Sequence, residues 1–455
     1  MESSYISFSL SIIFIYLITC SNSRSIVKNL PGFPGDLPFT LETGYIGVEA
    51  NNESQLFYYF VESSRNPYED PLLVYLTGGP GTSAFLPFLY QIGPVSIHFD
   101  NSTHEHINLV LNKNSWSKNA NVLFFDHLAG VGYSYATTYE GTKSSDSNLA
   151  KQCYQFLQKW LVEHPTFMSN PLYLTGISYM GMLVPIVTLE AYLGNERGDQ
   201  PQLNIKGCSI ISPLTDKFGD FNSKLEFVYR RSLISDNIYE STKEACHGNY
   251  VYVDPENVEC TNTLQRVEEC TSRINEDNVL DPYCDELDQN PICPITNEIY
   301  LYYYGNDKAV QKVLNIREGT IEKFEKKNET IHYRYRKNDT DSYAYDILSS
   351  VIYHKDLLSR NCQVLILSAD LDMTFPYVGT QQWIKSLNLP VESPWNPWFV
   401  NRQVAGYREK YVKNEYSLTY ATVKGSGHSI PLNKPEEAWV ILDGWLSSHT
   451  SLSDS

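Results

Sequence analysis

Apolar residues along this chain gather in five short runs that each close on or near glycine or an acidic residue. They are "PLLVYLTGG" (71–79), "ANVLFFDHLAG" (120–130), "PLYLTG" (171–176), "IKGCSIIS" (205–212) and "CQVLILSAD" (362–370). Runs that are continuously apolar, instead of alternating with polar residues, fit strands covered on both faces, as in a parallel sheet. Between the second and third runs, "NLAKQCYQFLQKWLVEHP" sets Leu149, Cys153, Phe156, Leu157, Trp160 and Leu161 at helical spacing and stops at Pro165. After the third, "YMGMLVPIVTLEAYLG" reads as another helix. Strand and helix alternate, so the pattern predicts an open α/β sheet.

The alternation lapses between about 215 and 328, where charge rises and cysteines crowd together. Strands resume afterwards, so an inserted cap within one domain spanning 24–455 is expected in preference to a linker; a separate disulfide-rich domain is the alternative. Residues 1–23 hold an apolar stretch of signal-peptide length followed by small polar residues, although the preceding segment carries Glu2 and no basic residue. Entry into the secretory pathway is expected, with an N-terminal anchor as the alternative. No later stretch approaches the roughly 20 apolar residues of a membrane span.

Composition narrows the partners. A formal charge of -18 and a pI near 5.0 argue against nucleic acid or an anionic membrane, since phosphate is repelled at long range. Of the 9 cysteines, Cys246, Cys260, Cys270, Cys284 and Cys293 cluster in a spacing that fits no zinc signature. In an oxidising compartment they read as disulfide candidates. Cys153, Cys208 and Cys362 lie in apolar segments and are expected to be buried thiols. No metal or cofactor is expected. Sequons at Asn52, Asn101, Asn328 and Asn338 are compatible with glycosylation.

The candidate chemistry starts at "LTGISYMGMLVP", where Ser178 lies between an apolar run and a helix. A nucleophile on a strand-to-helix turn needs glycines around it, because bulky neighbours would clash where the chain reverses. Gly176 and Gly181 supply them, the second one residue later than in the common G-x-S-x-G. His428, in the glycine-rich "VKGSGHSIP", is the candidate base, and Asp370 and Asp372, both following "QVLILSA", are candidate acids. The loop "LTGGPGTSA" offers backbone amides; without a following Gly-Lys-Ser or Gly-Lys-Thr it suits an oxyanion hole better than a phosphate, formed by the amides of Gly79 and Tyr179.

Together these residues resemble the plant serine carboxypeptidase-like proteins of peptidase family S10, a branch of the α/β-hydrolase superfamily. "GGPG", "D-x-x-x-G-V-G-Y-S-Y", "G-x-S-Y-x-G" and "KGSGH" occur in family order, and the likeness runs from "LPGFPGDLPFTLETGYIGV" to "KPEEAWVILDGWL". The resemblance implies an α/β-hydrolase fold with a mostly parallel central sheet and an inserted helical, disulfide-bearing cap. It implies Ser178 as nucleophile, His428 as base and Asp372 as acid. "PWFVNRQVAGY" and "GNDKAVQKVLNIREGT" look most like the acyltransferase clade, which moves an acyl group from a 1-O-acyl-glucose ester to a hydroxyl acceptor of plant specialised metabolism. Vacuolar residence is implied, with extracellular residence as the alternative, and association with a related paralogue is compatible with it. The other readings are a carboxypeptidase or esterase, or a non-catalytic companion of an active relative.

The chain also departs from the family. Its peptidases grip the substrate's free carboxylate with an asparagine before the two glycines and a glutamate before the serine. Here Thr77, followed by Gly78, and Ile177 occupy those positions, and Gln91 stands where a glutamate is frequent. A desolvated carboxylate without partners is costly, so exopeptidase activity is disfavoured. The acyltransferases usually carry aspartate where this chain has Ile177. Thr82 and Lys327 replace both ends of a disulfide that the family usually has, and the five clustered cysteines can make at most two bridges among themselves.

Overall fold

Each of the five apolar runs becomes a strand of one sheet in the computed structural model, which describes residues 24–98, 106–284, 295–334 and 336–450. Residues 1–23, where a signal peptide is expected, and Asn101 and Cys293 lie outside the described residues. In chain order the strands are β1 (Arg24–Val27), β2 (Leu41–Val48), β3 (Ser54–Val61), β4 (Leu72–Leu76), β5 (Asn121–Phe125), β6 (Leu172–Ile177), β7 (Ile205–Ile211), β8 (Gln363–Ala369), β9 (Val391–Val400), β10 (Gln403–Lys413) and β11 (Tyr416–Val423). They lie side by side as β1-β2-β3-β5-β4-β6-β7-β8-β11-β10-β9. From β5 to β11 in that order every pairing is parallel; the flanking strands are antiparallel. The fold is that of an α/β-hydrolase.

The continuous apolar pattern has its cause in two cores. Along β4, Leu72, Val74 and Leu76 enter the core on one face, with Leu149, Phe156 and Trp160 of α1 (Asp146–Glu163) and Leu183 and Val187 of α2 (Met180–Arg197). Leu73 and Tyr75 enter the core on the other face, with Ile441, Leu442 and Trp445 of α3 (Pro435–Thr450). Helix α1 starts where the Ser145 hydroxyl accepts the Asn148 amide, a cap worth about 1 kcal/mol, and ends before Pro165. Cys153, Cys208 and Cys362 are all buried free thiols.

Between β7 and β8 the chain leaves the sheet for a largely helical insertion. Leu225, Phe227, Val228 and Ile234 form a small separate core there with Met373 and Val378. Leu301, Tyr304, Val310 and Leu314, by contrast, join the core on the α3 face of the sheet. A disulfide links Cys246 to Cys260 across the helices Asp236–Cys246 and Val258–Thr271. Cys284 is also disulfide-bonded, and Cys270 is a free, exposed thiol. No described helix is long and apolar enough to cross a membrane.

Candidate active site

Ser178 stands between the end of β6 and the start of α2, with φ at 62°, in the left-handed region that side chains other than glycine rarely adopt. The turn is held by its neighbours: the Ser178 amide donates to Ile211 O (2.9 Å), and the Ser178 carbonyl accepts from Gly181 N (2.9 Å) and Leu214 N (3.1 Å). Both flanking glycines are sterically required. A Cβ on Gly176 would lie 2.6 Å from the Met180 Cβ, and one on Gly181 would lie 2.5 Å from the Leu214 carbonyl oxygen. The displacement of the second glycine thus follows from where α2 crosses the loop after β7.

Asp372 and His428 follow β8 and β11, so they emerge at the same edge of the parallel sheet as Ser178. His428 Nδ1 lies 2.8 Å from Asp372 Oδ2, while Asp372 Oδ1 accepts the amides of Thr374 (2.8 Å) and Phe375 (3.1 Å). Asp370 turns elsewhere: it accepts the Gly425 amide at 2.7 Å and pairs with Arg231 at 3.6 Å. Burial opposes a charge on His428, but the Asp372 carboxylate outweighs it and, with a smaller contribution from Asp277, raises the imidazole to about 9. Among the described residues the Ser178 hydroxyl has no hydrogen-bond partner, so His428 is joined to Asp372 and not to the serine. In sites of this type the serine–histidine bond often tightens only when substrate binds.

The loop after β4 touches Ser178: a Cβ on Gly78 would lie 2.7 Å from the Ser178 Cβ. Among the described residues neither Gly79 nor Tyr179 has an acceptor for its amide, although both residues are buried. Buried amides are almost always paired, so two free ones beside a serine suit a developing oxyanion. The loop is braced by Asp126, whose carboxylate accepts from Ser83 Oγ (2.8 Å), Ala84 N (2.7 Å) and Tyr133 N (2.9 Å). On its other side Thr82 and Lys327 form an antiparallel bridge, flanked by Ser83 N to Lys326 O and Asn328 N to Gly81 O, both 2.9 Å. That makes them a non-hydrogen-bonded pair, whose Cα separation of about 4.5 Å lies within disulfide range. The double variant Thr82→Cys with Lys327→Cys is therefore expected to oxidise spontaneously and gain about 2–4 kcal/mol. Thiol titration and melting temperature check this; two free thiols and an unchanged melting temperature would contradict it.

The register that pairs Gly176 with Leu76 carries Ile177 alongside Thr77. Ile177 belongs to the core on the α3 face, together with Tyr75, Ile211 and Ile430, and the Thr77 hydroxyl is buried with no partner among the described residues. Gln91 is a tie: its Oε1 accepts from the Tyr75 hydroxyl and its Nε2 donates to Ser429 Oγ, both at 3.1 Å, so it steadies the residue after His428. Asn52 and Asn338 are exposed. Asn328 is half-buried and donates to Gly130 O at 3.1 Å.

One element escapes sequence reasoning altogether. The segment 276–279, within the insertion, clamps the loops that carry Asp372 and His428 through its backbone. Glu276 O accepts from Met373 N (2.8 Å) and Thr374 N (3.0 Å), Val279 N donates to Leu371 O (3.1 Å), and Asp277 O accepts from His428 N (2.6 Å). Every residue carries such groups, so no side-chain signal announces them. Among the described residues no cluster of side chains is suited to holding a metal.

Fold and site together define a serine-based α/β-hydrolase architecture. Residues 31–448 match the family model described as serine carboxypeptidase. The chain is 41% identical over 425 residues to serine carboxypeptidase-like 3 of Arabidopsis thaliana, covering 93% of each. It is 40% identical over 447 residues to serine carboxypeptidase-like 17 of the same plant, covering 98% of each. In fold it is similar to a prohormone-processing carboxypeptidase from Saccharomyces cerevisiae, with a TM-score of 0.74 at 18% identity, covering 93% of this chain and 95% of that one. The chain belongs to the serine carboxypeptidase family.

Proposed function

We propose that this protein is an acyltransferase of the serine carboxypeptidase-like family, moving an acyl group from a 1-O-acyl-glucose ester to an alcohol. His428 takes the Ser178 proton as Oγ attacks the acyl carbonyl, and returns that proton to the departing glucose hydroxyl. The alcohol then gives its proton to His428 and attacks the acyl-enzyme, and Ser178 recovers the proton as it leaves. The amides of Gly79 and Tyr179 hold the oxyanion in both steps.

The observation that carries the reading is the pair Thr77 and Ile177 beside Ser178 and the His428–Asp372 pair. An apolar side chain where the family's peptidases place a carboxyl group gives a peptide's C-terminus nothing to bind, whereas a neutral ester needs no such grip. The test is to incubate the protein with a panel of acyl glucoses, with and without alcohols, and identify the products. New esters support transfer; free acid alone, at the same rate with or without alcohol, would make it an esterase.

Position 177 supplies a sharper check. Ile177→Glu is expected to lower acyl transfer at least about tenfold, by burying a carboxyl group without a partner. Thr77→Asn combined with Ile177→Glu is expected to gain some cleavage of blocked dipeptides. Measurable carboxypeptidase activity in the unmodified protein, or undiminished transfer by Ile177→Glu across the donor panel, would contradict the assignment.

A further inference from the structure

Behind the nucleophile turn lies a buried ion pair for which the reaction steps have no use. Asp146, at the first turn of α1, is fully buried, and Lys217, in the loop after β7, is only 7% exposed; Lys217 Nζ lies 3.7 Å from Asp146 Oδ2. The lysine also donates to Tyr345 O at 3.1 Å and sits 5.1 to 5.7 Å from the ring centres of Tyr333, Tyr345 and Tyr179. Asp146 collects three more donors: the hydroxyls of Tyr179 and Tyr343 on Oδ1, each at 2.9 Å, and the Ile347 amide on Oδ2 at 3.1 Å. Such a pair is expensive to desolvate, and well-packed apolar residues often do as well for stability, so its presence suggests a geometric task.

The cluster reaches both oxyanion amides. Tyr179 carries one of them, and its hydroxyl is tied to Asp146. Gly79 carries the other, and its carbonyl accepts the amide of Tyr333 at 2.9 Å. The rings of Tyr179 and Tyr333 touch, with centres 5.2 Å apart, and Lys217 lies over both. The two amides come from loops far apart in sequence, and this cluster joins them.

We propose that Lys217 is a positioning residue for the oxyanion hole: by holding Asp146 and the tyrosine rings in one arrangement, it sets the spacing between the Gly79 and Tyr179 amides. The inference rests on the reading of Ser178 as the nucleophile. Losing one oxyanion donor costs roughly 10²–10³ in turnover, so a small displacement of two donors should be readable.

The test uses the full chain and p-nitrophenyl acetate, with active sites counted by fluorophosphonate labelling and melting temperature recorded alongside. In Lys217→Met, turnover per labelled site is expected to fall at least tenfold with KM within twofold of the parent. Affinity for an aryl trifluoromethyl ketone, which forms an oxyanion on Ser178, is expected to fall by a similar factor. Lys217→Arg should recover most of both losses. A purely structural role would instead lower the melting temperature and the labelled fraction, leaving turnover per labelled site unchanged; that result would overturn the proposal. Should Lys217→Met fail to fold, Tyr343→Phe, which removes one donor from Asp146, decides. A parallel loss of about threefold in turnover and ketone affinity supports the proposal, and no change in either refutes it. If the parent protein is itself not labelled at Ser178, the nucleophile assignment fails and the proposal falls with it.

Discussion

Ser178→Ala is expected to remove turnover of any glucose ester by roughly 10⁴-fold or more while leaving the melting temperature close to that of the parent, and His428→Ala to do nearly the same. The two losses should not multiply in the double variant, because nucleophile and base act as one unit and either deletion alone ends covalent catalysis. The serine's left-handed backbone is held by its amide's bond to the Ile211 carbonyl and its carbonyl's bonds from the Gly181 and Leu214 amides, none of which involves its hydroxyl, so the turn should survive the change. Steady-state rates on a glucose ester, with thermal melts of the same samples, check both parts. Activity retained by Ser178→Ala would rule out the acyl-enzyme.

Those features of the site that depend on side-chain type and spacing were legible in the chain. Gly176, Ser178 and Gly181 announce a crowded turn, and the parallel strands announce themselves as apolar runs because both their faces are covered. The hairpin of β9 and β10 gave no such signal. Seven of the ten residues of β9 are exposed in one unbroken stretch that includes Pro394 and Pro397, so neither alternation nor continuous hydrophobicity marks it as a strand. Spacing alone also left Asp370 and Asp372 equivalent. The family resemblance singles out Asp372, and in three dimensions the two part, Asp370 facing Gly425 N and Asp372 facing His428 Nδ1. The clamp from 276–279 works through carbonyls and amides, to which sequence is blind.

That division of labour between the aspartates leads to the second large effect. Asp372→Asn is expected to lower turnover by roughly 10²–10⁴-fold, because the asparagine neither holds the productive tautomer of His428 nor balances its charge. Asp370→Asn should cost far less. The pH profile carries the sign. His428 acts as a base only when unprotonated, so the acylation rate rises with pH as it loses its proton, and the Asp372 carboxylate places that step above the ordinary histidine range. With the carboxylate removed, burial, which disfavours the charged ring, dominates. The inflection should then move to lower pH even as the plateau drops. A profile whose inflection stays in place, or moves upward, would show that Asp372 does not set the charge of His428.

The claim that Ser178 carries the acyl group from a glucose ester to an alcohol is tested most directly by mass spectrometry of the protein mixed briefly with an acyl glucose. The expected result is an added mass equal to the acyl group, located on the peptide containing Ser178. It should disappear faster when an alcohol is supplied, with the corresponding ester formed in equal amount. Either of two results would contradict the account: no adduct on Ser178 with any donor that the protein consumes, or an adduct whose decay is indifferent to alcohol and yields only the free acid.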